Sequence, residues 1–222
     1  MFKQAQVPFK GPTSEIVKNH SGRVIARANY KYNKKNQLIL AQFTSNGKAD
    51  GRNSFEYSNK GIKAERLFNS AGTEVETINY EVNARGHITG YKVLNQGGKE
   101  ELRWSFSYNK GHLQSGSRYI GKGLTEHFYY KNDQESGNKQ QVLLTGKNEQ
   151  VGIIYHQYKG GLLRARLIAD ETGSKRITYK YDNRGRLTEM KFYIRTKAGM
   201  KLVKTHKLEY TMMKQAKVGL KS

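Results

Sequence analysis

The string Tyr181-Asp182-Asn183-Arg184-Gly185-Arg186-Leu187 is the sharpest instance of a pattern that returns along most of the chain: an aromatic residue, a polar turn, then an apolar residue. Looser copies are Tyr32-Asn33-Lys34-Lys35-Asn36-Gln37-Leu38 and Val82-Asn83-Ala84-Arg85-Gly86-His87-Ile88. Copies with slipped spacing begin at Tyr57, Tyr108 and Tyr158. With Tyr32, Tyr57, Val82, Tyr108, Tyr130, Tyr158, Tyr181 and Tyr210 as equivalents, the period is roughly 25 residues, within the range of repeat architectures. Chains built this way generally present a long surface rather than enclose one catalytic pocket.

The segment before each turn alternates. Ile78, Tyr80 and Val82 are separated by Asn79 and Glu81; Trp104, Phe106 and Tyr108 by Ser105 and Ser107; Ile177, Tyr179 and Tyr181 by Thr178 and Lys180. Apolar residues at every second position, many of them aromatic or β-branched, mark strands with one face covered. After the aromatic, the side chain of Asp182 or Asn33 is placed to bond backbone amides ahead of it. Gly185, Gly86, Gly61 and Gly111 supply the positive φ that a tight hairpin requires. Asn36 holds the glycine place in the first copy, as the residue next best suited to a left-handed backbone. A second strand follows in each unit, such as Leu38 to Phe43 or Leu187 to Ile194, and ends in a further glycine turn. Tight turns at both ends allow only antiparallel neighbours, because parallel strands need crossovers of a dozen or more residues.

These signals predict an all-β antiparallel meander of about eight hairpins in a curved or spiralling sheet. Residues 1–21 read as an irregular segment or cap, with Glu15-Ile16-Val17 as half a unit, 22–211 as a single hairpin domain and 212–222 as a basic tail. The polar stretch from Lys131 to Gln150 is expected to be a longer loop or a weakly paired hairpin.

The segment Tyr181-Asp182-x-x-Gly185-Arg186-Leu187-Thr188 resembles the YD repeat of the RHS (rearrangement hot spot) family of bacterial secreted and surface proteins and toxin shells. Partial copies extend the resemblance from about Ala28 to Tyr210. It implies β-hairpins winding into a curved or spiralling sheet, an exported or cell-surface location, and repeats without catalysis of their own. The chain is short and very basic beside long members of that family, so an open or strongly curled sheet is expected rather than a closed shell.

Composition narrows the function. The 222 residues carry 40 Lys+Arg against 18 Asp+Glu, a formal net charge of +22 that favours polyanionic partners. Cysteine is absent, which excludes disulfides and thiolate chemistry. No apolar run approaches the roughly 18 residues of a membrane-spanning helix, and no signal peptide opens the chain. About 16 strands would also suit a membrane barrel, but Lys63, Arg66, Lys92 and Arg118 interrupt any lipid-facing band. The six histidines show no metal-ligand spacing. Glu100 and Glu101 point to opposite faces of a strand, so they cannot work as a carboxylate pair. Asp170-Glu171, beside Arg164, Arg166 and Arg176, suggests a local ion pair. The aromatic row reads as a covered face, in preference to a platform for stacked bases.

Lys34, Lys35, Lys60, Lys63, Arg85, Lys110, Arg184 and Arg186 cluster near one set of turns and form the candidate binding stripe. Asp182, Gly185, Gly86, Gly61 and Gly111 are the structural turn residues. The sequence thus reads as a non-catalytic scaffold of an exported protein, with no cofactor or metal, docking an acidic partner or self-assembling. The alternative is a binder of acidic polysaccharide or, less favoured, single-stranded nucleic acid.

Overall fold

The structure, a computed structural model, describes residues 11–132 and 139–210. Sixteen strands follow in order: β1 (Ser14–Asn19), β2 (Val24–Tyr32), β3 (Leu38–Ser45), β4 (Lys48–Ser58), β5 (Gly61–Phe68), β6 (Glu74–Val82), β7 (Ile88–Asn95) and β8 (Glu100–Asn109). The second half comprises β9 (His112–Ile120), β10 (Gly123–Asn132), β11 (Lys139–Thr145), β12 (Gln150–Lys159), β13 (Leu162–Asp170), β14 (Gly173–Tyr181), β15 (Leu187–Thr196) and β16 (Gly199–Glu209). Each strand pairs antiparallel with its neighbour in sequence, and β1 pairs with β16, so the meander closes into a barrel.

Closure corrects the expectation of a curved or spiralling sheet with free edges. The half-unit Glu15-Ile16-Val17 lies in β1, where Glu15 opposes Leu208 on one side and Ala28 on the other. Bulges provide the curl: the register slips at Lys31/Tyr32, Glu56/Tyr57, Glu81/Val82, Ser107/Tyr108, Gln157/Tyr158 and Lys180/Tyr181, each beside the aromatic or valine that ends the strand. Slips near the opposite ends, such as Phe43/Thr44 and Val93/Leu94, do the same for the other rim. A bulge bends its strand and increases local twist, so bulges at both rims turn a flat meander into a cylinder.

The stretch from Lys131 to Gln150 also departs from expectation. It contains β11, fully paired with β10 and β12, and only residues 133–138 within it lie outside the description. Residues 1–10 and the basic tail from 211 onward lie outside it as well.

Alternation decides which face turns inward. In β8 the exposed positions are Glu101, Arg103, Ser105, Ser107 and Asn109, while Leu102, Trp104, Phe106 and Tyr108 are half-buried. The strand register carries this division around the ring: Tyr80 opposes Tyr91, Tyr91 opposes Trp104, and Phe106 opposes Gly116, itself opposite Phe128. The aromatic face is therefore the concave one, and the outer wall presents residues such as Lys31, Arg52, Asn79, Lys92 and Lys180. The backbone of each strand approaches only its two ring neighbours, and few large side chains are fully buried. Instead of a packed core, the inner wall carries a chain of ring contacts: Tyr80–Tyr91 at 5.8 Å, Tyr91–Phe106 at 6.0 Å, Trp104–Phe128 at 5.9 Å, Phe128–Tyr130 at 5.6 Å and Tyr130–His156 at 5.8 Å. Such pairs contribute about 0.5–1.5 kcal/mol each beyond the area they cover.

Candidate interaction site at the basic rim

In an up-and-down barrel alternate turns fall at the same end. The turns β2–β3, β4–β5, β6–β7, β8–β9, β12–β13 and β14–β15 therefore share one rim, together with the ends of β1 and β16 near Ser14 and Glu209. Three of these turns are built alike. Asn33 Oδ1 accepts from the backbone amides of Lys35 and Gln37 at 2.9 and 3.0 Å; Asn83 from Arg85 and His87 at 3.0 Å each; Asp182 from Arg184 and Arg186 at 2.9 Å each. One side chain thus satisfies two amides that the tight loop would otherwise leave open. The fourth turn residue takes the left-handed backbone: Asn36 at φ 59°, Gly86 at 79°, Gly185 at 74°. Gly61 and Gly111, at φ 134° and 83°, serve the shorter turns in the same way.

The aromatic ahead of the turn has a second task that alternation alone does not reveal. Tyr108 Oη donates to the carbonyl of Ile88 at 2.8 Å, Tyr181 to that of Leu163 at 2.9 Å, Tyr210 to that of Leu187 at 2.8 Å and Tyr32 to that of Pro12 at 2.9 Å. The partners lie 18 to 23 residues apart in sequence, so each phenol clasps one hairpin to its predecessor along this rim.

The charge follows from the same turns. Between the strands of this rim the described residues carry seven cations (Lys34, Lys35, Lys60, Arg85, Lys110, Arg184 and Arg186) and one carboxylate, Asp182. The stretch joining β10 to β11, which adds Asp133 and Glu135 in sequence, is not described. The eight turns of the other rim hold five cations (Arg23, Lys99, Lys122, Lys147 and Lys197) and two carboxylates (Glu149 and Glu171). The barrel is thus polar along its axis.

All eight residues of the predicted stripe belong to this one rim, although two of them are engaged. Arg186 Nε bonds Asp182 Oδ2 at 2.6 Å with its guanidinium 4.5 Å from the Tyr210 ring centre, and Lys63 lies 3.9 Å from Glu56. Lys34, Lys35, Lys60, Arg85, Lys110 and Arg184 are exposed and make no ion pair among the described residues. Lys34 and Lys35 flank a cleft of about 660 Å³ whose lining includes Ile39, Phe55 and Tyr57 beside Gln37, Ser58 and Asn59. Burial, and then the Glu65 carboxylate, raise the Tyr57 phenol above its ordinary range, so it remains a protonated donor. Phe55 and Tyr57 are half-buried where they line this cleft.

The expected ion pairing of Asp170 with the neighbouring arginines is not what forms. Asp170 binds Lys175 Nζ at 3.1 Å and the Thr172 hydroxyl, because β14 returns Lys175 to that rim while Arg166 lies four residues deeper along β13. Glu100 pairs with Lys92 at 3.6 Å and Glu101 is exposed. His87 stacks on Tyr108 with ring centres 4.9 Å apart. Among the described residues no helix is long and apolar enough to cross a membrane, and no group of His, Asp and Glu is placed to hold a metal.

No protein-family model matches this chain, and no curated protein matches it. Solved structures do. It is similar to a porin-like protein from Bacteroides uniformis, with TM-score 0.60 and 13% identity over 90% of this chain and 98% of that one. A porin-like protein from Bacteroides vulgatus matches with TM-score 0.50 and 10% identity over 92% and 100% of the two chains. The TcdB2-TccC3 structure matches only over 15% of its length, at TM-score 0.29 and 9% identity, too low to carry an argument. At these identities the likeness establishes an all-β barrel fold and nothing about activity.

Proposed function

We propose that this protein is a non-catalytic interaction scaffold of an exported or cell-surface bacterial protein, and that it docks an acidic partner end-on through its basic rim. The observation that carries this reading is the contrast between the rims: six exposed cations that make no ion pair among the described residues gather at one end, while carboxylates accompany the cations at the other. Like charges held close on tight turns repel one another, and an acidic surface laid over them relieves that repulsion while steering the encounter. The porin-like names of the barrel neighbours support an envelope location. Among the described residues the outer wall carries Lys31, Arg52, Lys92 and Lys180, charges that a lipid-facing band would exclude.

The second reading is a binder of an acidic polysaccharide. It is favoured by the same cations, and the main aromatic row, which faces inward in strands such as β8, is not presented to stacked bases. A variant with Lys34, Lys35, Lys60 and Arg85 changed to Glu is to be compared on immobilised heparin with one carrying Lys99, Lys122, Lys147 and Lys197 changed to Glu. The two have equal charge changes. Earlier elution of the first variant supports the rim; equal elution refutes it. A steep salt dependence for soluble heparin with the native rim favours the polysaccharide reading. Shallow dependence, with an acidic protein retained from the envelope fraction, favours the docking scaffold.

A further inference from the structure

Just inside the basic rim the inner wall holds a second cationic group, made of residues other than the eight of the stripe. His156 opposes Lys139 on β11 and Arg166 on β13, so the three side chains share one row of the concave face. His156 is only 4% exposed and its Nε2 is buried without a hydrogen-bond partner, as is Arg166 Nε. Tyr130 packs its ring 5.8 Å from that of His156, and the Arg166 guanidinium sits 6.0 Å from the centre of Tyr179. A buried polar atom normally has a partner, and a partly buried cation normally has a carboxylate. Neither rule is met here. Inner-face carboxylates on the adjoining strands are committed elsewhere: Glu126 to Arg118 at 2.7 Å and Asp170 to Lys175 at 3.1 Å. The Arg166 row lies four residues from Asp170 along β13, roughly 13 Å at strand rise.

We propose that Arg166, Lys139 and His156 form a binding site inside the barrel for a small oxyanion group, a phosphate, sulfate or carboxylate. The planar guanidinium fork of Arg166 matches two oxygens of such a group, and Lys139 supplies a second charge. Burial raises the phenols of Tyr130 and Tyr179, which keeps both as donors along the walls. His156 completes the site in a conditional way. Burial, then Arg166, then Lys139 push its pKa down to about 4, so the empty site holds it neutral. An anion placed between the two cations cancels the repulsion that disfavours imidazolium, and protonated His156 becomes a further donor. By linkage, anion affinity rises as pH falls from 7.5 to 5. Among the described residues the groups facing His156 are Lys139 on β11, Arg166 on β13 and the Tyr130 ring on β10, none of them a carboxylate.

The site makes no use of the rim cations and stands whether or not an acidic partner docks there. The test is a titration of the intact chain with sodium sulfate, and separately with sodium phosphate, at constant ionic strength held with sodium chloride. Imidazole NMR signals report His156. A saturable shift at His156, with its pKa moving up by about one unit, is expected, together with roughly twofold tighter sulfate binding at pH 5 than at pH 7.5. Arg166→Gln and, independently, Lys139→Gln should each weaken binding at least tenfold, while Lys34→Gln/Lys35→Gln leaves it unchanged. If Arg166→Gln fails to fold by circular dichroism, Arg166→Lys and Lys139→Gln carry the same test. A linear response equal to that of chloride, or saturable binding indifferent to both Arg166 and Lys139 variants, overturns the site.

Discussion

Glu15 accepts a hydrogen bond from Nδ1–H of His206 across the seam at which the barrel closes, joining residues 191 positions apart. Both side chains are 16% exposed, and the same carboxylate also accepts from the Tyr30 hydroxyl at 2.6 Å. One acid therefore ties together β16, β1 and β2, the three strands whose pairing turns a meander into a cylinder.

The seam should make stability depend on pH in a defined direction. The His206 hydrogen bond, helped by Tyr30 and opposed by burial, lowers the Glu15 pKa below 4.5. A depressed carboxylate stabilises the folded state above its unfolded pKa, and that stabilisation is lost as pH falls through the folded value. Glu15→Gln should therefore cost roughly 1–3 kcal/mol in urea unfolding at pH 7. The gap to the native chain should narrow at pH 3.5; a gap that stays constant would contradict the assignment.

His156 predicts a second and separable slope. Its folded pKa of about 4 lies below the ordinary 6.5. The unfolded chain therefore takes up the proton first, and stability falls as pH drops from 6.5 toward 4. The loss between pH 7.5 and 5 should be about 2 kcal/mol. His156→Gln should remove that part of the slope, measured by urea midpoints without added sulfate or phosphate.

Gly116 is a packing position in the aromatic wall. A Cβ there would lie 2.5 Å from Phe128 Cε1 and 2.9 Å from Phe106 Cδ1, two rings whose centres are 6.5 Å apart across β9. Gly116→Ala should cost roughly 1–3 kcal/mol by overpacking. Combining it with Phe128→Leu should give less than the sum of the two single losses, because the smaller side chain vacates the clashing volume. Strict additivity would show that the rings do not close over the glycine.

The β6–β7 turn separates backbone strain from hydrogen bonding. Around Gly86 the nearest atom to a built Cβ is 3.8 Å away, so Gly86→Ala is penalised by its φ of 79° alone, by roughly 1–2 kcal/mol. Gly86→Asn should cost less, since asparagine tolerates that region. Asn83→Ala removes the acceptor of two amide bonds and should cost roughly 1–3 kcal/mol. Thermal melts that rank Asn and Ala equally at position 86 would refute the φ argument.

Much of the strand layout was legible because its causes are local. Trp104, Phe106 and Tyr108 at every second position specify both a strand and its inward face, and Asn83 with Gly86 specifies the turn that follows. The turn acceptors Asn19, Asn69 and Asn95 on the opposite rim were legible by the same chemistry, each followed at the same distance by a glycine, yet attention to the tyrosine-led turns passes over them. β11 was hidden: Lys139-Gln140-Gln141 begins it with three polar residues, and only pairing with β10 and β12 on either side makes that run a strand. The common rim of the eight cations followed from counting turns. Their ring arrangement did not, because it requires the ends of the sheet to meet.

The order of side chains alone determined an antiparallel ribbon with an aromatic face, a polar face and basic turns along one margin, since alternation and turn chemistry act within a few residues. The tertiary structure decided that the ribbon closes, that Glu15 meets His206, and that His156 faces Lys139 and Arg166. Closure is a sum of small bends over sixteen strands, and no local stretch encodes the point at which that sum completes a circle.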